Sequence, residues 1–276
     1  MFILDFPHPE CYSPTDTRFR ELYLYFGNRC NRDCRFCTVF GGTQGWMEPF
    51  QKEQLDFALE LIDSDGHLKV YGGEPVLNLQ NIDESLQYLR QGGFTGRITL
   101  FHNGVLFPRI QKLLERDPKI NVALNYSIYH CRGADALKPE ERISIDSYKA
   151  QHPDQVYLAH PDLIPNGRGA EEISSMDPDH NFQLLCPLCF PVLTSRGELK
   201  ACPFFVETRS AYHFLGQVGD PADLMVDRYK KFREWVECAI HSFVDMTGRY
   251  PCDYCVEFAA QAPFTYVQNT HNPWTE

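Results

Sequence analysis

Arg29-Cys30-Asn31-Arg32-Asp33-Cys34-Arg35-Phe36-Cys37-Thr38 sets three cysteines at C-x3-C-x2-C spacing within eight residues. Thiolates this close are soft ligands on a loop tight enough to close around one centre. A zinc ribbon or an ordinary ferredoxin cluster takes four protein ligands and is closed. Three thiolates on a [4Fe-4S] cube leave one iron free to bind something that reacts. The loop follows an apolar run, Leu22 to Phe26, that reads as a strand. Eleven cysteines in 276 residues, odd in number and clustered, point to metal, because disulfides seldom persist in the reducing compartment that the rest of the chain suggests.

A second motif follows. Tyr71-Gly72-Gly73-Glu74-Pro75 ends the strand-like run from His67, and Gly72 lies thirty-five residues beyond Cys37. Paired glycines let a backbone approach a ligand closely, and Glu74 offers an acceptor for an ammonium group. Alone, Gly-Gly-Glu-Pro is also a plain strand-to-helix turn. Together, the cysteine triplet, with Phe36 in the aromatic place before its last member, and the glycine segment resemble the signature of the radical S-adenosylmethionine (SAM) enzymes. The resemblance implies a [4Fe-4S] cluster on Cys30, Cys34 and Cys37 whose free iron takes the amine and carboxylate of SAM. It implies further that Gly72, Gly73 and Glu74 hold the amino group.

Working outward, Leu55, Ala58, Leu59 and Ile62 recur at helical spacing, as do Ile82, Leu86 and Leu89, then Ile110, Leu113 and Leu114. Strands are expected at His67–Tyr71, Ile98–Phe101, Val122–Tyr129 and Val156–Ala159, with no sixth strand evident. This βαβα order argues for an α/β fold with a parallel sheet, and the family resemblance narrows it to a partial (β/α)6 TIM-like barrel over residues 19–180, after an N-terminal extension of residues 1–18. Ligands of such barrels sit at the carboxyl ends of the strands, where both motifs fall.

Three further residues are candidates for the same end. Asn103, in His102-Asn103-Gly104, is either a SAM-ribose contact or an ordinary turn residue. Ser127, on the polar face of an alternating strand, resembles a ribose-contacting position, against a plain sheet hydroxyl. Arg168, in Pro165-Asn-Gly-Arg-Gly-Ala170, can meet a carboxylate of SAM or substrate, against a solvated loop arginine. His130 and Cys131 fall at the expected mouth, but a lone cysteine is more often a small buried hydrophobe.

Six more cysteines lie after residue 180. Pro191 to Cys202 reads as a hairpin turning at Ser195-Arg196-Gly197. The spacing C-x10-G-x4-C, with Cys252 and Cys255 beyond, resembles the twitch domain, the shorter form of the SPASM extension. That implies a small α+β domain over residues 181–276 with one auxiliary [4Fe-4S] cluster on Cys186, Cys202, Cys252 and Cys255, Cys189 being the main substitute. Cys238 belongs to a helix expected over Ala222 to Ile240, where a core thiol is the simpler reading. A four-cysteine zinc knuckle of Cys186, Cys189, Cys252 and Cys255 is the competing use of the same residues.

Charge and composition trim the function classes. Lys and Arg total 26 against 37 Asp and Glu, a formal net charge of -11, so nucleic acid is a disfavoured partner. No apolar run is long enough for a membrane span and the N-terminus lacks a secretory pattern, so a soluble cytoplasmic enzyme is expected. The resemblance implies reductive cleavage of SAM to a 5′-deoxyadenosyl radical that takes hydrogen from a substrate C–H bond, with flavodoxin or ferredoxin as reductant. The substrate expected is a ribosomally made peptide, with oxidation of a small alcohol or sugar as the alternative and a non-catalytic iron-sulfur or zinc protein as the third reading. About twenty residues precede the first strand, so a leader-peptide-binding module would be a separate polypeptide.

Overall fold

The computed structural model describes residues 17–34, 37–125, 136–159, 190–207 and 213–247, with Cys255. Five strands alternate with helices: β1 (Phe19–Tyr25), α1 (Lys52–Leu61), β2 (Ile62–Tyr71), α2 (Leu79–Gln91), β3 (Arg97–His102), α3 (Gln111–Arg116), β4 (Ile120–Asn125), α4 (Pro139–Gln151) and β5 (Val156–Ala159). Then come β6 (Val192–Thr194), β7 (Glu198–Lys200), β8 (Phe214–Gln217) and the long helix α5 (Ala222–Thr247). All eight strands join one sheet in the order β5-β4-β3-β2-β1-β6-β7-β8. The first six pair parallel and the last two antiparallel.

The alternation of side chains along β1 and β2 explains why these strands sit centrally. Leu22, Leu24, Leu68 and Val70 are fully buried on one face, continued by Ile98 and Leu100 of β3, as expected where crossover helices cover a parallel sheet. The other face carries Tyr23, Tyr25, Lys69 and Tyr71, which meet across the strands with Tyr23 and Tyr25 ring centroids 5.3 and 5.0 Å from that of Tyr71. Lys69 pairs with Glu21 there, and its Nζ lies 5.0 Å over Tyr23 and 4.8 Å over Phe190.

The helices form where the apolar stripes predict. Ile82, Leu86 and Leu89 of α2 are buried, and Arg90 in its last turn donates to the Phe94 and Gly96 carbonyls at 3.0 and 2.8 Å, which fixes the turn into β3. Ile62 departs from its expected place. The helix stops at Leu61, and Ile62 opens β2 in an extended conformation, paired with Phe19. Helix α4 has no counterpart in the stripes above because it buries only Ile145 and Tyr148 and leaves Ile143 exposed.

The hairpin expected at Ser195-Arg196-Gly197 is present, with Val192 opposite Lys200, Leu193 opposite Leu199, and Gly197 at φ +81°. Its first arm lies against β1, Tyr23 opposite Val192 and Tyr25 opposite Thr194. The sixth barrel strand that periodicity left unplaced is not assigned, because residues 160–189 lie outside the described residues. The expected domain boundary at residues 180–181 and the stretch 126–129 of the expected fourth strand lie outside the described residues.

Candidate functional site

Strand β1 delivers its chain to Gly27, at φ +125°, and the cysteine loop begins there. The return segment holds that loop in shape. The Cys30 N–H donates to the Gly42 carbonyl (2.8 Å), the Gly42 N–H to that of Asn28 (3.0 Å) and the Arg29 N–H to that of Trp46 (2.9 Å). Asn28 adds its Oδ1 as acceptor for the Trp46 N–H at 2.9 Å. Cys37 closes a tight turn on the Cys34 carbonyl (3.3 Å), and the Gly41 N–H points at Cys37 Sγ (3.0 Å).

The end of β2 comes against this loop backbone to backbone. Gly73 N–H donates to the Gly27 carbonyl and Glu74 N–H to that of Arg29, each at 2.9 Å. A methyl group at Gly72 would stand 2.4 Å from the Gly27 oxygen, and one at Gly73 would stand 2.2 Å from the Arg29 oxygen. One at Gly41 would touch both Cys37 Sγ and the Gly73 Cα at 3.3 Å. Glycine is therefore a steric requirement where the two segments meet.

Glu74 is fully buried, and its carboxylate is engaged by the protein's own backbone. Oε1 accepts from the Val76 N–H (3.1 Å), capping the short 3-10 turn Pro75–Asn78, and Oε2 accepts from the Asn103 N–H (2.8 Å) at the end of β3. Burial pushes its pKa up to about 8 against the pull of those two donors. Gly72 and Gly73 are only partly buried.

At the end of β3, His102 is buried and accepts the Gly104 N–H at Nδ1 (2.7 Å), so its proton sits on Nε2, 3.9 Å from Glu74 Oε1. Desolvation lowers its pKa to about 3. Asn103 serves as the turn residue that one of its two readings assigned: Oδ1 accepts from the Val105 N–H at 2.9 Å. Its Nδ2 faces the cysteine loop, 2.8 Å from Asn31 Oδ1 and 3.7 Å from Cys30 Sγ.

The loop thus gathers Cys30, Cys34 and Cys37 beside Gly72, Gly73, Glu74 and Asn103 at the carboxyl ends of β1, β2 and β3. The thiols sense one another: burial pushes Cys30 up to about 12, and Glu74, Cys34 and Cys37 each add to the rise. A thiol held so high stays protonated unless a strong Lewis acid ligates it. Among the described residues no three Cys, His, Asp or Glu side chains converge as around a single ion. The donor set suits a cluster, which spreads its thiolates over separate irons, with N–H groups aimed at two of the sulfurs and a glycine-lined approach beside them.

Cys202 and Cys255 are buried thiols. Phe36, Ser127, Arg168, Cys186 and Cys252 lie outside the described residues, as do Cys131 and Cys189. The segment from Cys202 to Glu207 reaches the same end of the sheet. Tyr71 Oη donates to the Pro203 carbonyl (3.0 Å), Tyr25 Oη to Glu207 Oε1 (2.5 Å) and Trp46 Nε1 to Glu207 Oε2 (3.3 Å). Sequence reading missed Tyr25, Trp46, Tyr71 and Glu207. The strict alternation in Tyr23-Leu24-Tyr25 and Lys69-Val70-Tyr71 is the signal that could have marked the two tyrosines as facing away from the apolar layer.

No family model matches the sequence, and no curated protein does. Solved structures do match. BtrN, in complex with AdoMet and 2-DOIA, superposes with a TM-score of 0.55 at 20% identity, over 79% of this chain and 87% of that one. The enzyme anSMEcpe, with bound AdoMet and the Kp18Cys peptide, superposes at 0.52 with 14% identity, over 87% of each chain. The fold is that of the radical SAM enzymes. The parallel part of the sheet matches its partial barrel, and the cysteine loop and glycine segment sit at the carboxyl ends of the strands, where barrels of this kind place their ligands. Among the described residues no helix is long and apolar enough to cross a membrane.

Proposed function

We propose that this chain is a radical SAM enzyme whose cosubstrate binds where the Cys30–Cys37 loop meets Gly72 and Gly73. One observation carries the reading: three thiols and a glycine-walled backbone edge share the carboxyl ends of β1 and β2 in a fold that superposes on AdoMet-bound structures. Cys30, Cys34 and Cys37 would hold a [4Fe-4S] cluster here, which would supply the electron for reductive cleavage of SAM to methionine and a 5′-deoxyadenosyl radical.

The chain's own part is positional. Cys30, Cys34 and Cys37 would serve as the three thiolate ligands of the cluster. Gly72 and Gly73, partly exposed beside the cysteine loop, are assigned with Glu74 to the methionine end of SAM. Glu74 acts from behind, fastening the ends of β2 and β3 so that this edge keeps its place. The buried Tyr23, Tyr25 and Tyr71 on this face of the sheet would limit water near a reactive carbon radical. Ser127 and Arg168 are assigned to the ribose and to a carboxylate. An auxiliary [4Fe-4S] cluster is assigned to Cys186, Cys202, Cys252 and Cys255, supported by the burial of Cys202 at the end of its hairpin and of Cys255. Flavodoxin or ferredoxin would deliver the electron.

The substrate we assign is a ribosomally made peptide, a reading supported by the peptide carried by anSMEcpe. A second reading, a small-molecule dehydrogenase, is favoured by the somewhat better superposition of 2-DOIA-bound BtrN. Anaerobic reconstitution with iron, sulfide, SAM and dithionite should yield 5′-deoxyadenosine, and the Cys30→Ala/Cys34→Ala/Cys37→Ala variant should yield none. A parent protein that binds iron fully and makes no 5′-deoxyadenosine overturns the reading. Faster 5′-deoxyadenosine formation with a candidate precursor peptide, or with a small alcohol, separates the two substrates.

A further inference from the structure

Asn103 has an orientation that the hydrogen-bond pattern fixes. The Val105 N–H is a donor and needs an acceptor, so the side-chain oxygen is the atom 2.9 Å from it. The amide nitrogen must then face the other way, toward the cysteine loop, where Asn31 Oδ1 lies at 2.8 Å and Cys30 Sγ at 3.7 Å. An NH2 group has two hydrogens, and two acceptors stand before it. The backbone N–H of Asn103 is held as well, by Glu74 Oε2 at 2.8 Å. The backbone N–H and both ends of the side-chain amide are therefore directed by the protein, and the amide nitrogen is directed at a sulfur.

We propose that Asn103 is a positioning residue for the cluster ligand Cys30, donating a side-chain N–H to its sulfur and thereby raising the reduction potential of the cluster. The inference rests on the cluster assignment of Proposed function and deepens it. A ligating sulfur carries negative charge that grows when the cluster takes up an electron, so an N–H donor there stabilises the reduced form more than the oxidised one. Backbone N–H groups also aim at the triplet's sulfurs, Gly41 at Cys37 and Arg32 at Cys30, and no side-chain substitution removes them. Asn103 is the point at which the effect can be tested.

Two variants separate this role from a structural one. Asn103→Ser keeps an oxygen able to accept the Val105 N–H and deletes the donor to sulfur. Asn103→Asp keeps the shape and the acceptor and turns a carboxylate oxygen toward the sulfur. Each is reconstituted without SAM, its iron content is measured, and the midpoint of the cluster is read by an EPR-monitored titration. We expect Asn103→Ser to show a roughly tenfold lower reduced-to-oxidised ratio at a fixed potential, a midpoint about 59 mV more negative, and Asn103→Asp a larger shift of the same sign. Two variants that bind as much iron as the parent and share its midpoint overturn the inference while leaving the cluster assignment intact. A parent protein that binds no iron overturns both.

Discussion

Gly73→Ala tests the meeting of the glycine segment and the cysteine loop without touching a ligand. The added methyl group would lie 2.2 Å from the Arg29 carbonyl oxygen and 2.5 Å from that of Asn28, both backbone atoms that cannot swing aside like a side-chain tip. Either the end of β2 withdraws or the loop does. Withdrawal breaks the two 2.9 Å bonds, Gly73 N–H to Gly27 and Glu74 N–H to Arg29, at about 1 kcal/mol each. Overpacking adds about 2 kcal/mol, for a total near 4 kcal/mol. In a domain of this size that lowers the melting temperature by roughly 10 °C. Gly93→Ala is the control: its φ is +95°, but no atom lies within 4 Å of the added methyl, so only backbone strain of about 1 kcal/mol is expected. Thermal unfolding of the metal-free proteins, followed by circular dichroism, measures both, and iron uptake is assayed afterward. Iron binding should fall in Gly73→Ala and stay at the parent level in Gly93→Ala. If Gly73→Ala unfolds no earlier than Gly93→Ala and takes up iron equally, the close approach described above is not what shapes the loop.

Lys69→Met should cost about 3 kcal/mol by leaving Glu21 buried without its cation, and adding Glu21→Gln should recover much of it; urea denaturation of the single and double variants checks the coupling. Glu207→Ala should destabilise by about 2 kcal/mol and red-shift tryptophan emission, since Trp46 Nε1 and Tyr25 Oη lose their acceptor together; an unchanged spectrum and midpoint would count against the contact. His67 is held neutral, its pKa lowered to about 3 chiefly by burial, with Lys69 and Arg97 adding to the effect. A depressed folded-state pKa means stability present above about 6.5 and lost as the pH falls toward 3, so His67→Gln should flatten the acid limb of the stability profile. An NMR titration showing His67 protonating near pH 6.5 in the folded protein would refute this.

The parallel core was legible because its signals are local. Ile82, Leu86 and Leu89 mark one face of α2 whatever the helix packs against, and Leu22-Tyr23-Leu24-Tyr25 alternates by strand geometry alone. Helix α4 was illegible since two buried residues, Ile145 and Tyr148, make too narrow a stripe. Ile62 was misassigned because it keeps helical spacing with Leu55 and Leu59 while its backbone is already extended. The site divides in the same way. Cys30, Cys34, Cys37, Gly72 and Gly73 announce themselves by spacing, whereas Glu74 and Asn103 show their partners only when the strand ends lie side by side. The identity of Glu74 suggested a ligand contact; its burial turned both oxygens to the backbone.

Spacing along the chain suffices to choose soft ligands for one centre and to order strands and helices, since residues within ten or so positions meet whatever the rest of the molecule does. Sheet order belongs to the whole chain. It sets the hairpin arm Val192–Thr194 against β1, and brings Glu207 to Tyr25 across 182 positions and Asn103 to Cys30 across 73. Such contacts follow from how the faces of the elements pack, a property of the assembled sheet that no local stretch of sequence encodes.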